Sequence, residues 1–352
     1  MSENDRGQDE GVKRYAKRWT FWLIGVVTLI LVVLTAMGLT ASWWWPGQVA
    51  EYLRPHTAAV LAVTALVSFV CKRWGWAGLC VGVLFVNMAT LALLAPETAR
   101  VLGQSDIRVM HLNLDRNNDQ VQLMIDAILN PADGRQADIL CLQEFTSDWD
   151  NSLKQHLKDY EWIESIPRDD SRGVAMLYRQ GSPLSVTGSQ VLQWLPSETD
   201  RPTLAVDFVV NQDTSRRLTL LSLHTKRPSS PSKSREQQRE FEAAASWCVD
   251  HLAMINMTKD LLVIGDFNAT PWALNYRRFV EDAGLGHVGS VLRSPATYPS
   301  RWTRPLRVPI DLAAVSPGVA TERCFAGPYT GSDHRPLIVD ILVYYPELSY
   351  PN

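Results

Sequence analysis

The chain has 352 residues, 34 basic and 37 acidic side chains, a formal charge of −3 and five cysteines. This length allows one large domain and an accessory region. The cysteines are scattered and form no CxxC pair, which argues against a zinc cluster or a disulfide scaffold. Residues 99–352 carry 26 basic and 31 acidic side chains, a balance of −5, which argues against a long polyanion track.

Long uncharged segments near the N-terminus predict transmembrane helices. Residues 19–40 and 74–95 each form a run of 22 uncharged residues, which is enough to cross about 30 Å of hydrocarbon. A shorter segment, 57–71, extends back toward Tyr52 and gives a third candidate span. A cleaved signal peptide fits poorly, because the first segment is too long for a signal core and others follow it. We therefore expect residues 19–97 to contact the lipid bilayer through about three helices.

Basic residues at the ends of these segments predict the orientation of the chain. Residues 13–18 contain four basic side chains, and Lys72–Arg73 lie between the second and third segments, whereas the loop 41–56 has only Arg54. By the positive-inside rule, residues 1–18 and the second loop are cytoplasmic. Three spans then predict a multi-pass protein of the cell (inner) membrane with its large domain outside the cytoplasm. If the middle segment does not span, that domain lies inside instead.

From Ile107 onward, short apolar strands alternate with helices, which is the pattern of an α/β fold. Val121–Leu129 has helical spacing, and a capping box of Ser234 and Gln237 predicts the start of another helix. The large domain is expected over residues 103–346. Eight strands are predicted: Ile107–Leu114, Asp138–Leu142, Gly173–Tyr178, Thr203–Val210, Leu218–His224, Leu261–Asp266, Asp311–Val315 and Leu337–Val343.

Polar residues that suit cation and phosphate chemistry stand at the ends of these strands. Asp266 and Asn268 follow one strand at alternate positions, so their side chains face the same way. Asp333 and His334 come directly before the last strand. Glu144 ends the second strand, where an unpaired buried charge is costly and a divalent cation is a suitable partner. Carboxylates and a histidine at strand ends indicate a hydrolytic site.

The motifs resemble those of the endonuclease/exonuclease/phosphatase superfamily of metal-dependent phosphodiesterases. The resemblance covers about residues 107–343, and the GDFNATPW sequence at 265–272 behind three candidate spans is similar to a membrane-anchored bacterial branch. It implies a DNase I-like four-layer α/β sandwich preceded by transmembrane helices. In chain order, the matching residues are Asn113, Asp115, Glu144, His224, Asp266, Asn268, Asp311, Asp333 and His334.

The resemblance also implies a metal site. Glu144 would be the main ligand of Mg²⁺ or Mn²⁺, with Asn113 beside it and Asp333 as a second carboxylate. Hard cations take oxygen ligands and retain several waters, so few protein ligands suffice. Asp115 is a weaker candidate for metal or substrate, because many relatives use the asparagine alone. Arg172 is a candidate for contacting phosphate, or it is simply a solvated loop arginine.

The catalytic roles follow from the same resemblance. Asp266 would orient or deprotonate the attacking water, and Asn268 would hold a phosphoryl oxygen. His334, oriented by Asp311, would stabilise the phosphorane or protonate the leaving group, and His224 would be a second imidazole on the phosphate. Water then attacks phosphorus in line, without a covalent intermediate.

The substrate stays open between two phosphoester classes. Many membrane-anchored relatives follow the aspartate at 311 with histidine, whereas this chain has Leu312, which puts any substrate contact from that position in doubt. A lipid head-group hydrolase would fit the membrane tether, with Trp272, Tyr298 and Trp302 at an interface. A nuclease acting on extracytoplasmic DNA or RNA would fit the arginine cluster around Trp302. A non-enzymatic binding module is a third reading. The cluster consists of Arg293, Arg301, Arg304 and Arg307.

Overall fold

The computed structural model describes residues 3–93, 96–98, 105–195, 201–254 and 259–343. It divides into two compact units, Met1–Leu93 and Leu94–Asn352. The predicted end of the last hydrophobic segment at Ala95, and the predicted domain limits at residues 103 and 346, lie outside the described residues.

The N-terminal unit is entirely helical in its described part. It consists of α1 (Glu3–Leu39), α2 (Trp45–Tyr52), α3 (Arg54–Val70) and α4 (Trp74–Leu91). Arg18–Leu39 of α1 and the whole of α4 are long and apolar enough to cross a membrane. The helices α2 and α3 meet at a bend of 62° and together give a third candidate span.

This helical unit places polar groups inside and large apolar groups outside. The Asn87 amide of α4 donates to the Thr35 hydroxyl of α1 over 2.8 Å, and both residues are buried. Arg54 is also buried and donates to the Gly38 carbonyl oxygen over 3.0 Å. Large apolar side chains such as Trp19 and Phe85 are more than 70% exposed. Apolar surfaces with hydrogen-bonded polar interiors are typical of helices that pack within lipid.

The C-terminal unit contains four α-helices, two three-residue 3-10 helices (Val291–Arg293 and Arg304–Leu306) and twelve strands among its described residues. The helices are α5 (Val121–Leu129), α6 (Ser147–His156), α7 (Pro231–Leu252) and α8 (Leu274–Asp282). The first six strands are β1 (Ile107–Asn113), β2 (Ile139–Gln143), β3 (Tyr160–Ile166), β4 (Val174–Arg179), β5 (Leu184–Gln193) and β6 (Pro202–Val210). The others are β7 (Asp213–Ser222), β8 (Lys259–Asp266), β9 (Gly286–His287), β10 (Asp311–Val315), β11 (Val319–Ala326) and β12 (Leu337–Val343).

These strands form two six-stranded mixed sheets. The first has the order β11-β12-β1-β2-β4-β3, and the second has the order β5-β6-β7-β8-β10-β9. Each sheet contains one parallel pair at its centre, β1 with β2 and β7 with β8, and the remaining pairs are antiparallel. The carboxyl ends of parallel strands lie at the same edge of a sheet, so each central pair brings two strand ends together.

The sheets pack face to face, and helices cover their outer faces. The central core joins inward side chains such as Val109 and Met176 of the first sheet to Leu220 and Ile264 of the second. On the other face of the first sheet, Met110 and Leu140 pack with residues of α5 and α6. On the second sheet, Phe267 stacks with Phe241 of α7 and contacts Phe279 of α8. These layers confirm the predicted α/β sandwich of the DNase I type.

Several sequence-based assignments of elements are wrong. The capping box does not start α7, because this helix begins at Pro231 and the Ser230 hydroxyl accepts from the backbone N–H of Lys233. Ser234 and Gln237 are instead buried within the helix. The strand predicted to reach His224 ends at Ser222. Four strands (β3, β5, β9 and β11) and two helices (α6 and α8) were not predicted.

Candidate functional site

The two central parallel pairs deliver the predicted site residues to one region. Asn113 pairs with Gln143 at the end of β1 and β2, so Glu144 follows directly at the same edge. Ser222 pairs with Ile264 near the ends of β7 and β8, which places His224 beside Asp266. Buried apolar residues fill these strands, and the polar side chains begin where the strands end.

Gln143 joins the two sheets beneath the site. Its side-chain oxygen accepts from the backbone N–H of Asp266 over 3.1 Å, and its amide nitrogen donates to the Leu223 carbonyl over 3.1 Å. The side chain is fully buried, and these bonds fix the end of β2 against the ends of β7 and β8. The glutamine therefore fixes the position of Glu144, the next residue, relative to Asp266.

Gly265 is required by the close approach of two chains. A Cβ atom at this position would lie 1.9 Å from the carbonyl oxygen of Leu223, and the backbone φ is 156°. Any side chain here would push β8 away from the segment that carries His224. The glycine of the Gly-Asp-Phe-Asn motif thus permits the spacing of Asp266 and His224.

The carboxylate of Asp266 is the centre of the site. One oxygen, Oδ1, accepts from the backbone N–H of Asn268 over 2.8 Å. The other, Oδ2, accepts from the Asn113 amide over 3.3 Å and lies 3.8 Å from the Nε2 atoms of both His224 and His334. A single carboxylate oxygen thus faces two imidazoles and an amide, and the residue is buried.

Asp311 is held between two histidines. Its Oδ2 contacts Nδ1 of His334 at 2.8 Å, and its Oδ1 contacts Nε2 of His111 at 3.0 Å. Both Asp311 and His111 are completely buried. The pair with Asp311 fixes the His334 ring, so that its other nitrogen points toward Asp266.

Charge coupling sets the ionisation states of this group. Burial alone would lower the pKa of His334, but the neighbouring Asp311 and Asp266 raise it to about 10. Burial would raise the pKa of Asp311, but His334 and His111 hold it well below its usual range. Burial and the charge of Asp311 raise the pKa of Asp266 to about 7, although His334 opposes the rise. At neutral pH the site therefore contains an imidazolium, an ionised aspartate and a carboxyl group close to its titration point.

His224 has the opposite ionisation state to His334. Burial, together with nearby Arg201, His111 and His334, lowers the pKa of His224 well below its usual value. Its ring is therefore neutral at physiological pH. Its Nδ1 atom is buried and has no hydrogen-bond partner among the described residues. The two imidazoles that face Asp266 thus differ in charge.

A group of oxygen donors lies beside this cluster. Burial raises the pKa of the Glu144 carboxyl, while hydrogen bonds from the Arg116 backbone and the Asn113 side chain, together with His334, oppose the rise and Asp333 adds to it. Burial also raises the pKa of Asp333, with Asp115 and Asp311 adding to the rise. Asp333 thus repels the Glu144 carboxylate, and the Asn113 side chain donates a hydrogen bond to it. Carboxylate and amide oxygens are ligands that suit a hard divalent cation.

The structure also offers a second arrangement for a cation. Donor atoms of Asp266, Asp311 and His334 lie within 4.8 Å of one another. Both oxygens of Asp311 already contact imidazole nitrogens, however, and His334 uses Nδ1 for this pair. The Asp311–His334 pair is therefore already engaged within the protein, and the oxygen donors around Glu144 are the other candidate for a cation site.

The loop before β12 is hydrogen-bonded to the end of β1 and to the loop that contains Ser300. The Ser332 hydroxyl donates to the backbone oxygen of Asn113 over 2.7 Å and accepts from the backbone N–H of His334 over 3.0 Å. The backbone oxygen of Asp333 accepts from Ser300 over 2.7 Å. Ser332 therefore fixes the position of the His334 backbone relative to the end of β1.

The remaining predicted residues have different surroundings. Asn268 has a left-handed backbone (φ 46°), and its amide donates to the Thr225 carbonyl over 3.0 Å. Asp115 also has a left-handed backbone, and its Oδ1 accepts a hydrogen bond from the backbone N–H of Asn117. The guanidinium of Arg172 pairs with Asp170 in its own loop. Leu312 is buried, so no polar contact comes from that position.

Two sheets enclosed by helices, with carboxylates and imidazoles at their strand ends, define a DNase I-like protein. The sequence profile of the Endonuclease/Exonuclease/phosphatase family matches residues 101–334, and the chain belongs to this family. The resemblance seen in the sequence is confirmed. None of the curated proteins matches the chain at a significant level.

Solved structures share the fold at low sequence identity. A mannosyl-6-phosphatase of Bacteroides thetaiotaomicron aligns with a TM-score of 0.54 and 19% identity, over 67% of this chain and 99% of that one. D. rerio TDP2 complexed with a single-strand DNA product aligns with a TM-score of 0.52 and 16% identity, over 67% and 98%. The human Nocturnin catalytic domain with a bound sulfate aligns with a TM-score of 0.51 and 18% identity, over 68% of this chain and 94% of that one.

Sequence reasoning missed two residues that organise the site. His111 had no motif support, although it occupies the inward position of β1 two residues before Asn113. Gln143 is not among the predicted site residues, although its side chain joins the two sheets. A polar residue within an otherwise apolar strand was the available signal in both cases, because such a group requires a partner when buried.

Proposed function

We propose that the protein is a membrane-anchored, divalent-metal-dependent hydrolase that cleaves a phosphoester by in-line attack of water. The observation that carries this proposal is the convergence of Asn113, His224 and His334 on one oxygen of Asp266. Family membership and similarity to a phosphatase and to an enzyme complexed with a DNA product support phosphoester chemistry.

Glu144 is proposed as the main metal ligand, with Asn113 and Asp333 nearby. Oxygen donors of this kind suit Mg²⁺ or Mn²⁺, and burial leaves the Glu144 carboxylate in need of positive charge. When bound, the cation supplies Lewis-acid polarisation of a phosphoryl oxygen and offsets negative charge in the transition state. Asp115 is close enough to affect the charge of Asp333, so it is a secondary candidate.

Asp266 is proposed to orient the attacking water and accept its proton. A base is most effective when its pKa is close to the working pH, and the pKa of Asp266 is raised to about 7. The bonds from Asn113 and from the Asn268 backbone keep the carboxylate in place. The Asn268 side chain, fixed by Thr225, is proposed to contact a phosphoryl oxygen.

The two imidazoles are proposed to act in different charge states. His334 is an imidazolium because Asp311 and Asp266 raise its pKa to about 10, so it stabilises phosphoryl charge or donates a proton to the leaving oxygen. His224 is neutral and therefore acts as a hydrogen-bond partner of the phosphate without adding charge. Asp311 orients His334 and stays ionised.

The helical unit supports the proposed anchor. Two helices, or three if the bent pair is one span, have the length and apolar composition of membrane spans. The basic residues 13–18, which precede the apolar part of α1, and Lys72–Arg73 favour a cytoplasmic N-terminus. With three spans, this orientation predicts a hydrolase domain outside the cytoplasm. The protein is therefore proposed as a multi-pass protein of the cell membrane.

Hydrolysis of bis-p-nitrophenyl phosphate with Mn²⁺ by the full chain in detergent tests the catalytic proposal. We expect His334→Gln to reduce kcat at least about a hundredfold, because it removes the imidazolium at the phosphate. The matched control is His156→Gln, an exposed histidine on α6, which should retain wild-type rates. No hydrolysis by the wild type with any divalent metal would instead support a binding module.

Side-by-side assays on single-stranded DNA, RNA and phospholipid vesicles then identify the substrate class. The nucleic-acid and lipid alternatives share the same chemistry at phosphorus, so the site residues do not separate them. A substrate preferred by the wild type must also lose turnover in His334→Gln. Turnover that survives this substitution would come from a contaminating enzyme.

A further inference from the structure

The segment between Asp282 and Asp311 combines basic and exposed apolar residues near the site. It contains four arginines and no acidic residue, although the domain as a whole is acidic. Leu292, Trp302 and Leu306 in this segment are 52–57% exposed, and Trp302 and Leu306 are the most exposed large apolar side chains among the described residues of this unit. An apolar surface flanked by cations has the chemistry of an interaction site for an anionic, partly apolar partner.

Most of these residues belong to one closed loop, Tyr298–Val308, which we call the arginine loop. Its ends are joined by backbone hydrogen bonds of 3.1 Å and 2.6 Å between Tyr298 and Val308. Further backbone bonds run from Trp302 to Pro299 and from Leu306 to Thr303. The loop therefore has a defined conformation, and residues 301–306 at its tip are all exposed.

The arginines of the loop are not neutralised by acids. Arg301 donates to the Tyr329 hydroxyl, and Arg307 donates to the Trp302 carbonyl, so both contact neutral oxygens. Neither these two nor Arg304 forms a salt bridge with a carboxylate among the described residues. Their charge remains available to an external anion.

The arginine loop is directly joined to the loop before β12, which contains Ser332, Asp333 and His334. The Ser300 N–H donates to the Asp333 carbonyl over 2.7 Å, and the Ser300 hydroxyl donates to the Ser332 carbonyl. The Tyr298 ring lies 5.0 Å from the His334 ring. A partner that binds the tip of the loop is therefore held beside the site.

The same segment is joined to the chain that follows α4. His287 bonds through its backbone to Pro96 and Thr98, and the Glu97 carboxylate accepts from the backbone N–H of Val291 over 2.7 Å. The end of α4 at Leu91 is five residues before Pro96, and five residues of chain reach at most about 18 Å. The segment is therefore hydrogen-bonded to residues that follow the last proposed span by only a few positions in the chain.

We propose that the arginine loop docks the hydrolase domain onto the surface of an anionic lipid bilayer, with Trp302 and Leu306 in the interface and the arginines on lipid phosphates. This inference rests on the proposed membrane anchor. Tryptophan and arginine are suited to the boundary between head groups and acyl chains. An aliphatic leucine beside them fits acyl chains, whereas a single-stranded nucleic acid calls for stacking groups and a longer basic track.

Hydrogen exchange of the full chain in nanodiscs tests the docking. One set of discs contains phosphatidylcholine alone, and another contains phosphatidylglycerol as well. Peptides that cover residues 291–308 should exchange at least about threefold more slowly in the anionic discs, because anionic lipid attracts juxtamembrane arginines. Peptides from α8 serve as the internal reference. High salt should remove the difference, since the screening length falls to about 3 Å at 1 M.

The charge-reversed variant Arg301→Glu/Arg304→Glu should lose this protection. The control Arg235→Glu/Arg278→Glu makes the same change of charge at exposed positions of α7 and α8 and should keep it. Trp302→Ser should weaken the protection while leaving its dependence on salt.

Equal exchange in both kinds of disc, or unchanged protection in Arg301→Glu/Arg304→Glu, would overturn the inference. Protection of the loop by single-stranded DNA in phosphatidylcholine discs, without a response to anionic lipid, would assign the surface to nucleic acid. Co-elution of the protein with the discs reports on the anchor separately. Failure to co-elute contradicts both the anchor and the docking, whereas co-elution without protection contradicts the docking alone.

Discussion

At the scale of single residues, the site depends on groups whose pKa values are driven apart by their neighbours. Asp266 and Asp311 are both buried carboxylates, yet the pKa of Asp266 is raised to about 7 while that of Asp311 is lowered. The difference arises because Asp311 contacts two imidazoles directly, whereas Asp266 lies 3.8 Å from its histidines. One aspartate is thus suited to accept a proton, and the other to hold a charge.

We predict a bell-shaped dependence of kcat/KM on pH. Asp266 must be ionised to act as a base, so activity should fall about tenfold per unit as pH decreases through about 7. His334 must be protonated, so activity should fall again as pH rises through about 10. A cation at Glu144 adds positive charge and moves the acidic midpoint downward. Activity that increases as the pH is lowered below 7 would contradict the role of Asp266.

We predict that His111 positions Asp311. Replacement by alanine removes a hydrogen bond to a carboxylate and should lower kcat roughly tenfold or more with little change in KM, because substrate contacts remain. His111→Gln keeps an amide donor and should recover part of the rate. Steady-state kinetics of both variants provide the measurement. Equal rates for alanine and glutamine would refute a specific bond to Asp311, and thermal unfolding would show whether either variant is unfolded.

At this scale, the sequence identified residues with their own motif and missed those that act through another residue. Asp266, Asp311 and His334 were predicted and converge in space. His111 was not, because nothing in the sequence shows that β1 and β10 face each other across the two sheets. Its partner is 200 residues away along the chain.

At the scale of elements, a buried ion pair fastens β1 to β12. The Arg108 guanidinium donates to both oxygens of Asp340 over 2.7 Å and 2.9 Å, and both side chains are about 1% exposed. Arg108 also contacts Asp133 in the loop after α5. This network holds the strand that carries Asn113 against the strand that follows His334.

We predict that Arg108→Met destabilises the hydrolase domain by about 3–5 kcal/mol, because it removes both hydrogen bonds from the buried Asp340 carboxylate and leaves only Arg135, 3.9 Å away, as a charged partner. The melting temperature should fall by roughly 10 °C. Arg108→Met/Asp340→Leu removes both charges and should recover much of the loss. Differential scanning fluorimetry of the full chain in detergent is the measurement, with Arg235→Met as an exposed control. A double variant less stable than Arg108→Met would contradict the explanation.

The elements missed from the sequence are those with weak periodic signals. Residues of β5 are mostly exposed, and its composition of Ser, Thr, Gly and Gln gives no apolar run. The strand β9 has two residues, too few for any pattern. The start of α7 was displaced because Ser230 and Pro231 supply a cap and first turn that resemble a Pro-Ser loop. Buried strands such as β8 and β10 were predicted well, because their apolar runs are continuous.

At the scale of the whole molecule, the exposed surface of the helical unit is apolar, whereas the candidate site of the hydrolase unit is lined by carboxylates and imidazoles. In the proposed membrane topology, the number of spans decides on which side of the membrane the hydrolase unit lies, since an odd number places it opposite the N-terminus. The number is two or three, depending on whether the bent pair α2–α3 forms one span.

We predict that alkaline phosphatase fused after Leu93 is active, since three spans and a cytoplasmic N-terminus export the fused enzyme. A green fluorescent protein fused at the same position should be dark if it is exported through the general secretory pathway. The reverse pair of results would mean that α2–α3 does not cross and that the hydrolase domain is cytoplasmic.

The order of the strands within each sheet could not be predicted from the sequence. The pattern predicted an α/β fold with a site at strand ends, and the family resemblance supplied the sandwich. The sheets, however, pair strands from opposite ends of the chain, such as β1 with β12. Local periodicity shows that a segment is a strand, but it does not show which distant strand is its neighbour.

The rate of bis-p-nitrophenyl phosphate hydrolysis as a function of Mn²⁺ concentration, in the wild type and in Glu144→Gln, tests the central claim most directly. The account predicts saturable activation of the wild type, and at least about a hundredfold lower activity in Glu144→Gln that added metal only partly restores. Glu242→Gln, an exposed control on α7, should match the wild type. Hydrolysis that persists in excess chelator, or an equal metal response in Glu144→Gln, would contradict a metal site at Glu144.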